Sequence, residues 1–230
     1  MLRSFFRAWA LAVVGLLVAV AWSEGQADSL RALTFIEVRT DSTTASAKIL
    51  KKYAAALRVP AARVRVLQEV PRASRFVIVE AAENADELTR AQSDSQRLLE
   101  PLDEMLIAPA DHRTHKDFGV DPSSAAKQNV REPSSSVYVL AHVDIGPPDR
   151  LGGEAALRQL ADAARHAPGN LGFDIWQQTD RTNHFNVVSF WSDRASFDAF
   201  SASAPAREFR KTVARLIGSL YDDRIYHRVD

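Results

Sequence analysis

The residue best suited to chemistry in this sequence is a single histidine on a predicted strand. His142 lies in the run Val137–Asp144, where it alternates in register with Tyr138, Leu140 and Asp144. A neutral imidazole that faces an apolar cavity can accept the proton of a phenol or quinol, which leaves an electron-rich anion. The alternative is a half-buried histidine that hydrogen-bonds a neighbouring strand or Asp144. We therefore take His142 as the candidate catalytic base and keep the structural alternative open.

Side chains that could bind a planar ligand follow on a predicted hairpin and helix. The aromatic ones are Trp176, Phe190, Trp191, Phe197 and Phe200. Trp176 and Trp191 fall at strand ends, and with Phe200 they would shape an aromatic cavity wall. Asn186 could hold a ligand oxygen. We predict substrate-binding roles for Trp176, Asn186, Trp191 and Phe200. The alternatives are a packed core for the aromatic residues and a solvent-facing position for Asn186.

Metal and nucleotide chemistry find little support in the sequence. His112 and His115 stand three residues apart in D-H-R-T-H, which on a strand directs them to opposite faces and disfavours shared metal ligation. The chain has no glycine-rich phosphate loop, no G-x-S-x-G, no H-E-x-x-H and no cysteine. The usual signatures of hydrolases and nucleotide enzymes are therefore missing, and we expect neither a metal nor a cofactor.

The elements that position these residues occur twice. The segment FVIVEAAENADELTRAQSDSQ begins at Phe76, and FNVVSFWSDRASFDAFSASAP begins 109 residues later at Phe185. Both read as an apolar strand, a short polar turn and an amphipathic helix. Such a repeat predicts two similar units and directs the search for a site to the place where they face each other.

Each unit reads as strand, helix, strand, strand, helix, strand, the order of a ferredoxin-like βαββαβ unit. The predicted fold class is α+β, with two tandem ferredoxin-like units pairing into an α+β barrel. We predict a first unit over residues 28–120, a polar Ser/Pro-bearing linker over 121–136 and a second unit over 137–230.

The N-terminus has the form of a secretory signal peptide. Arg3 and Arg7 precede an apolar run from Ala8 to Trp22, and small residues follow, so residues 1–27 read as a leader cleaved between residues 21 and 27. The alternative is an uncleaved anchor, the one case in which we expect a membrane contact. Both interpretations place the folded part outside the cytoplasm, periplasmic or secreted. The predicted mature chain has 27 basic and 29 acidic residues, so we expect no nucleic-acid partner.

The second unit resembles an antibiotic biosynthesis monooxygenase (ABM) domain of the dimeric α+β barrel superfamily. The resemblance rests on residues 168–173 (PGNLGF), on the strand end Ser189–Trp191 with residues 192–197 (SDRASF), and on residues 203–209 (SAPAREF). The first unit fits the same pattern less well. The resemblance implies two sheets that pack into a barrel, an apolar pocket between each sheet and its helices, and in some members oxygen-dependent oxidation of quinols or aromatic polyketides without metal or flavin. A tandem copy implies that the two units replace two subunits, as a monomer of roughly 23 kDa after processing.

Two residue patterns of the family are missing. Quinol-oxidising members often carry a Glu at the strand end and a His eleven residues later; the second unit has Ser189 and Phe200 there, and the first has Glu80 and Ala91. The haem-degrading pattern of Asn, Trp and His is also absent, since the corresponding residues are His142, Phe200 and Arg210.

Two functions remain open. The first is an exported ABM-type cofactor-independent monooxygenase acting on a small aromatic or quinol, with His142 as base. The alternative is a non-catalytic module on the same fold that binds a small apolar or aromatic molecule or has a structural role. The missing Glu/His pair favours the second function, and the resemblance favours the first. We expect any remaining site to lie in the second unit, with the first serving mainly as its built-in partner.

Overall fold

A computed structural model describes residues 30–57, 62–82, 85–119, 133–218 and 221–229 of the chain. The predicted leader and residues 121–132 of the predicted linker lie outside them. Among the described residues, no helix is long and apolar enough to span a membrane. The strands are β1 (Leu30–Glu37), β2 (Ala62–Glu69), β3 (Arg75–Ala82), β4 (Asp111–Asp117), β5 (Val137–Asp144), β6 (Asn170–Gln178), β7 (His184–Trp191) and β8 (Asp222–Arg228). The α-helices are α1 (Thr43–Ala56), α2 (Ala85–Ser95), α3 (Arg150–Arg165), α4 (Arg194–Ser201) and α5 (Ala204–Val213).

These strands close into one antiparallel barrel in the order β1-β3-β2-β8-β5-β7-β6-β4. Each unit contributes four consecutive strands with the ferredoxin-like order, β4-β1-β3-β2 in the first and β8-β5-β7-β6 in the second. The predicted α+β barrel is therefore confirmed. Because neighbours are antiparallel all the way round, β1, β2, β5 and β6 run in one direction. The end of the barrel where these four strands finish is called the barrel mouth below.

The two units are joined along two short seams. Strands β2 and β8 pair over three positions, from Leu67 opposite Arg228 to Glu69 opposite Tyr226. Strands β4 and β6 also pair over three positions. Phe118, just after β4, donates its backbone N–H to the carbonyl of Ile175 and packs into the core of the second unit. The strands of one chain thus close a complete barrel.

Alternation along the strands divides the apolar residues into three layers. The barrel interior is filled around Leu33, Tyr138, Trp176, Phe190 and Tyr226. Side chains of the opposite parity pack under the helices, which lie outside the barrel in both units. Each position on a strand therefore belongs either to the interior shared by the units or to the outer core of its own unit.

The local sequence explains how the elements of the second unit begin. Asp193 accepts a hydrogen bond from the backbone N–H of Ser196 at 2.8 Å and caps α4. Ser203 caps α5 in the same way, and Pro205 lies in the first turn, where its missing N–H removes no helical hydrogen bond. Asp193 and Ser203 belong to the two motifs at residues 192–197 and 203–209, and both have a structural role as helix caps.

Two adjacent glycines of α3 test how closely this helix packs. A Cβ on Gly153 would lie 2.3 Å from Cδ1 of Ile145, whereas one on Gly152 would meet only Leu216 Cδ1 at 3.7 Å. We expect Gly153→Ala to lower the free energy of unfolding by about 1–3 kcal/mol through overpacking. Gly152→Ala should raise it by up to about 1 kcal/mol because alanine favours a helix. Urea denaturation of both variants checks this, and equal effects would contradict the described packing.

Candidate functional site

The second sheet separates the predicted site residues into two groups. His142 and Asn186 are cross-strand partners on β5 and β7, and their side chains face the barrel interior. Trp191 and Phe200 pack on the other face, beneath the helices. The prediction that Trp191 and Phe200 shape the cavity of His142 is therefore wrong. Successive side chains of a strand alternate between faces, and Trp191 is an odd number of residues from Asn186.

An open cavity of about 510 Å³ occupies the barrel mouth. Both units line it, and we call it the mouth cavity. Its polar walls include His142, Asn186, Arg113, Glu69, Arg75 and Tyr226. The expectation that a site lies where the units face each other agrees with this position. The first unit contributes charged walls, so it is more than a partner for the second.

His142 is held in a chain of polar side chains that begins at Asp144. Oδ1 of Asp144 lies 3.2 Å from Nε2 of His184. Nδ1 of His184 lies 3.3 Å from Nε2 of His142. Nδ1 of His142 is buried without a hydrogen-bond partner among the described residues. His142 is therefore linked to Asp144 only through His184, which lies opposite Asp144 on β7.

The other side of the site is a buried histidine on β4. Nδ2 of Asn186 lies 2.8 Å from Nε2 of His115, which must be unprotonated to accept this hydrogen bond. Burial lowers the pKa of His115 to about 4. Trp176 lies opposite Asn186 on β6, with its ring 6.1 Å from that of His115. Trp176 belongs to the packed barrel interior and does not line the mouth cavity, contrary to the predicted ligand wall.

The electrostatic environment keeps His142 neutral at pH 7. Burial lowers its pKa most, and the positive charge of Arg113 and the nearby His184 lower it further. Asp144 and Asn186 act in the opposite direction without reversing the shift. A neutral imidazole is the protonation state that a general base requires.

Charged side chains at the mouth occur mostly in pairs. Nε of Arg75 lies 3.0 Å from Oε1 of Glu37, and Nε of Arg224 lies 3.0 Å from Oδ2 of Asp222. Arg113 pairs with Asp111, and its guanidinium lies 5.3 Å from the centre of the Phe35 ring. The mouth therefore presents cations and anions side by side, which suits a neutral polar ligand better than a polyanion.

The space beneath the helices of the second unit is filled by its own side chains. Trp191 is fully buried and stacks on Phe200 with ring centres 5.0 Å apart. Its Nε1 donates to Oγ of Ser189 at 3.1 Å. About 20 Å³ remains there, too little for an aromatic ligand. Trp191 and Phe200 thus form core.

In the first unit, Glu80 occupies the position that corresponds to Ser189 of the second unit. Glu80 is buried on the outer face of β3, and the hydroxyl of Tyr53 on α1 lies 3.5 Å from its Oε1. Burial raises the pKa of Glu80. His112 lies on this outer face and His115 inside the barrel, so their predicted separation to opposite faces is confirmed.

The sequence interpretation missed several residues of the mouth cavity. In the sequence, Glu69, Arg75 and Arg113 are polar residues that alternate with apolar ones along predicted strands. This pattern is typical of a strand face that is exposed to solvent. His115 does not line this cavity but contacts Asn186 of its wall, and its spacing from His112 bears only on metal ligation. The available signal was position, since Glu69 and Arg75 flank one predicted hairpin turn. These positions indicate a shared site only once closure of the barrel turns this face of the strands inward.

Residues 136–212 match the sequence model of the family described as antibiotic biosynthesis monooxygenase. The matched segment, residues 136–212, is an ABM domain. No curated protein matches the sequence. The ABM resemblance predicted from residues of the second unit is thereby confirmed.

Solved structures extend the fold comparison to almost the whole chain. A proposed monooxygenase from Fusobacterium nucleatum subsp. nucleatum has a TM-score of 0.74 at 10% identity, covering 89% of this chain and 94% of that one. A proposed monooxygenase from Lactobacillus acidophilus scores 0.66 at 9% identity, with coverages of 88% and 94%. An anthrone oxidase-like protein scores 0.62 at 10% identity, with coverages of 88% and 92%. At these identities the likeness establishes the fold, and the activity has to be argued from the site.

The depressed pKa of His115 predicts loss of stability in acid. The folded state binds this proton only near pH 4, whereas the unfolded chain binds it near pH 6.5. His115 therefore contributes stability that is present above pH 6.5 and is lost as the pH falls toward 4. We expect His115→Gln to remove on the order of 1–3 kcal/mol of this pH dependence. Urea denaturation between pH 4 and 7 measures it. The exposed-site variant His227→Gln should behave as wild type, and an unchanged profile in His115→Gln would contradict the assignment.

Proposed function

We propose that this protein is a cofactor-independent ABM-type monooxygenase that binds a small phenol or quinol in the mouth cavity, with His142 as general base. The observation that carries the proposal is the Asp144–His184–His142 chain, which ends at an open cavity. The ABM domain supports the reaction class. The mouth cavity supports a site shared by both units.

The chain of contacts favours one arrangement of protons. An ionised Asp144 accepts a hydrogen bond, so Nε2 of His184 carries a proton. With the ring proton of His184 on Nε2, its Nδ1 is an acceptor, and Nε2 of His142 donates to it. This arrangement leaves the lone pair on Nδ1 of His142, which has no hydrogen-bond partner among the described residues and would have to become accessible from the mouth cavity. Asp144 and His184 are positioning residues, because they fix the tautomer of the base.

The same geometry stabilises the products of proton transfer. When His142 takes a proton from a phenolic hydroxyl, the positive ring is stabilised through His184 by the charge of Asp144. The phenolate would be stabilised by the guanidinium of Arg113, which lines the same cavity. Asn186, the cross-strand neighbour of His142, would hold a ligand oxygen through the amide N–H that does not bond His115.

The overall reaction balances without an added reductant. Deprotonation gives a quinol anion that can transfer electrons to molecular oxygen. One oxygen atom forms a bond to a ring carbon, and that carbon loses its hydrogen. The other oxygen atom leaves as water with two hydrogen atoms from the substrate. The quinol supplies all four electrons and becomes a hydroxylated quinone.

Replacement of the proposed base tests the activity. We expect oxygen consumption with substituted hydroquinones, and a fall in kcat/KM of about 100-fold or more in His142→Gln. Because burial lowers the pKa of His142, the acid limb of the wild-type profile should lie below pH 6.5. An oxygen electrode measures both, with enzyme-free autoxidation subtracted. The exposed-site variant His227→Gln is the control. Absence of turnover, or full activity in His142→Gln, would contradict the proposal.

A second candidate is a non-catalytic module that binds a small aromatic molecule. It is favoured by the filled space around Trp191 and Phe200, where the resemblance implies the family's pocket, and by the missing Glu/His pair. Saturable binding of hydroquinones without oxygen consumption would select this candidate. The mouth cavity would then be a binding site, with His142 a polar contact.

We further propose export, supported by Arg3, Arg7 and the apolar run that follows them. When the full-length gene is expressed in a bacterium with two membranes, the protein should be recovered from the periplasm. Its N-terminus should fall after residue 21, 23 or 27. Edman sequencing of the recovered protein checks this. Full-length chain in the cytoplasm would contradict it.

A further inference from the structure

The mouth cavity has a second polar corner, which the proposed reaction does not use. Glu69 ends β2, and its side chain is only 2% exposed although it lines the open cavity. Its Oε2 is buried without a hydrogen-bond partner among the described residues. Its other oxygen, Oε1, lies 3.6 Å from Nε of Arg72, whose side chain is half exposed.

Arg75 supplies a guanidinium at the same corner, where it is ion-paired with Glu37. It begins β3, directly across the hairpin turn from Glu69, and lines the same cavity. Its Nε lies 3.0 Å from Oε1 of Glu37, but among the described residues this buried atom has no partner with hydrogen-bond geometry. Tyr226 lies opposite Glu69 on β8 and lines the same cavity. Burial raises the pKa of its hydroxyl to about 12, with a further contribution from the charge of Glu69.

A buried carboxylate oxygen is costly when no hydrogen bond reaches it, as at Oε2 of Glu69 among the described residues. When a carboxylate is buried, it loses its hydrogen bonds to water. Other hydrogen bonds must replace them, or the fold is destabilised. Packing does not require a carboxylate at Glu69, because an apolar side chain of similar size would avoid this cost. A buried polar group that lowers the stability of the fold is a feature expected at functional sites.

The two polar corners lie on opposite sides of the cavity. Glu69 belongs to the first unit and is paired with Tyr226 of β8. His142 belongs to the second unit and is paired with Asp222 of the same strand. These two partners are four residues apart, or about 13 Å along the strand. A ligand that reaches both corners must carry a polar group at each end.

We infer that Glu69 and Arg75 form a second subsite, which binds a hydroxyl at the far end of a flat aromatic ligand. The hydroxyl donates to Oε2 of Glu69 and accepts from Nε of Arg75. The ligand class is thus a fused-ring aromatic with hydroxyls at opposite ends. This inference rests on the proposed function for the placement of the first hydroxyl at His142. It adds a specificity residue from the unit that lacks an ABM match.

Two naphthols that differ by one hydroxyl test this subsite. Isothermal titration under argon compares 2-naphthol with 2,6-dihydroxynaphthalene, so binding is measured without turnover. In the wild-type protein the diol should bind about tenfold or more tightly, because its second hydroxyl bonds to a charged group. Glu69→Met removes the acceptor while keeping the volume, and should reduce the ratio to about one. The exposed-site variant Glu208→Met should keep the wild-type ratio.

The outcomes separate this inference from the proposed reaction. An affinity ratio near one in the wild-type protein would overturn the subsite, even if hydroquinones are oxidised. Failure of both naphthols to bind would overturn it as well. A large ratio that Glu69→Met abolishes would support it, even if oxygen is not consumed. We expect the melting temperature of Glu69→Met to equal or exceed that of wild type. A lower melting temperature with an unchanged ratio would assign Glu69 to the fold and overturn the inference.

Discussion

Closure of the barrel through two short seams is the constraint on which the rest of the structure depends. Each seam has only three paired positions, whereas the pairs within a unit run over seven or eight between β2 and β3, β1 and β3, or β5 and β7. The seams nevertheless turn one face of every strand toward a shared interior. Because side chains alternate along a strand, this decides which polar residues meet across the units and which stay beneath their own helices.

The barrel interior is apolar in its middle and polar at the mouth. Leu33, Trp176 and Phe190 belong to the packed part. Toward the mouth, the same inward-facing positions of β5 and β7 carry His142 and Asn186. Polar groups near the open end retain access to solvent or ligand, so their desolvation costs less than it would at the centre. The mouth can therefore hold a neutral histidine and several ion pairs while the middle supplies the hydrophobic stabilisation.

The two units have divided their roles differently from a symmetric dimer. The second unit supplies the Asp144–His184–His142 chain, and the space under its helices is filled by Trp191 and its aromatic neighbours. The first unit supplies Glu69 and Arg75 to the same cavity. A tandem chain allows this division, because its two halves can change independently. In a homodimer, every substitution appears twice.

The sequence by itself determined the α+β class, the repeated order of elements and the ABM character of the second unit, because these depend on local periodicity and turn chemistry. It also predicted that His142 and Asn186 belong to one site, and both side chains line the mouth cavity because alternation along a strand is a local property. It could not decide that Trp191 and Phe200 lie behind the sheet, nor that Glu69, Arg75, Arg113 and His115 turn inward. Those positions depend on how strands about 60 to 160 residues apart pair into a closed barrel. Only the tertiary structure fixes which face of each strand is the inside.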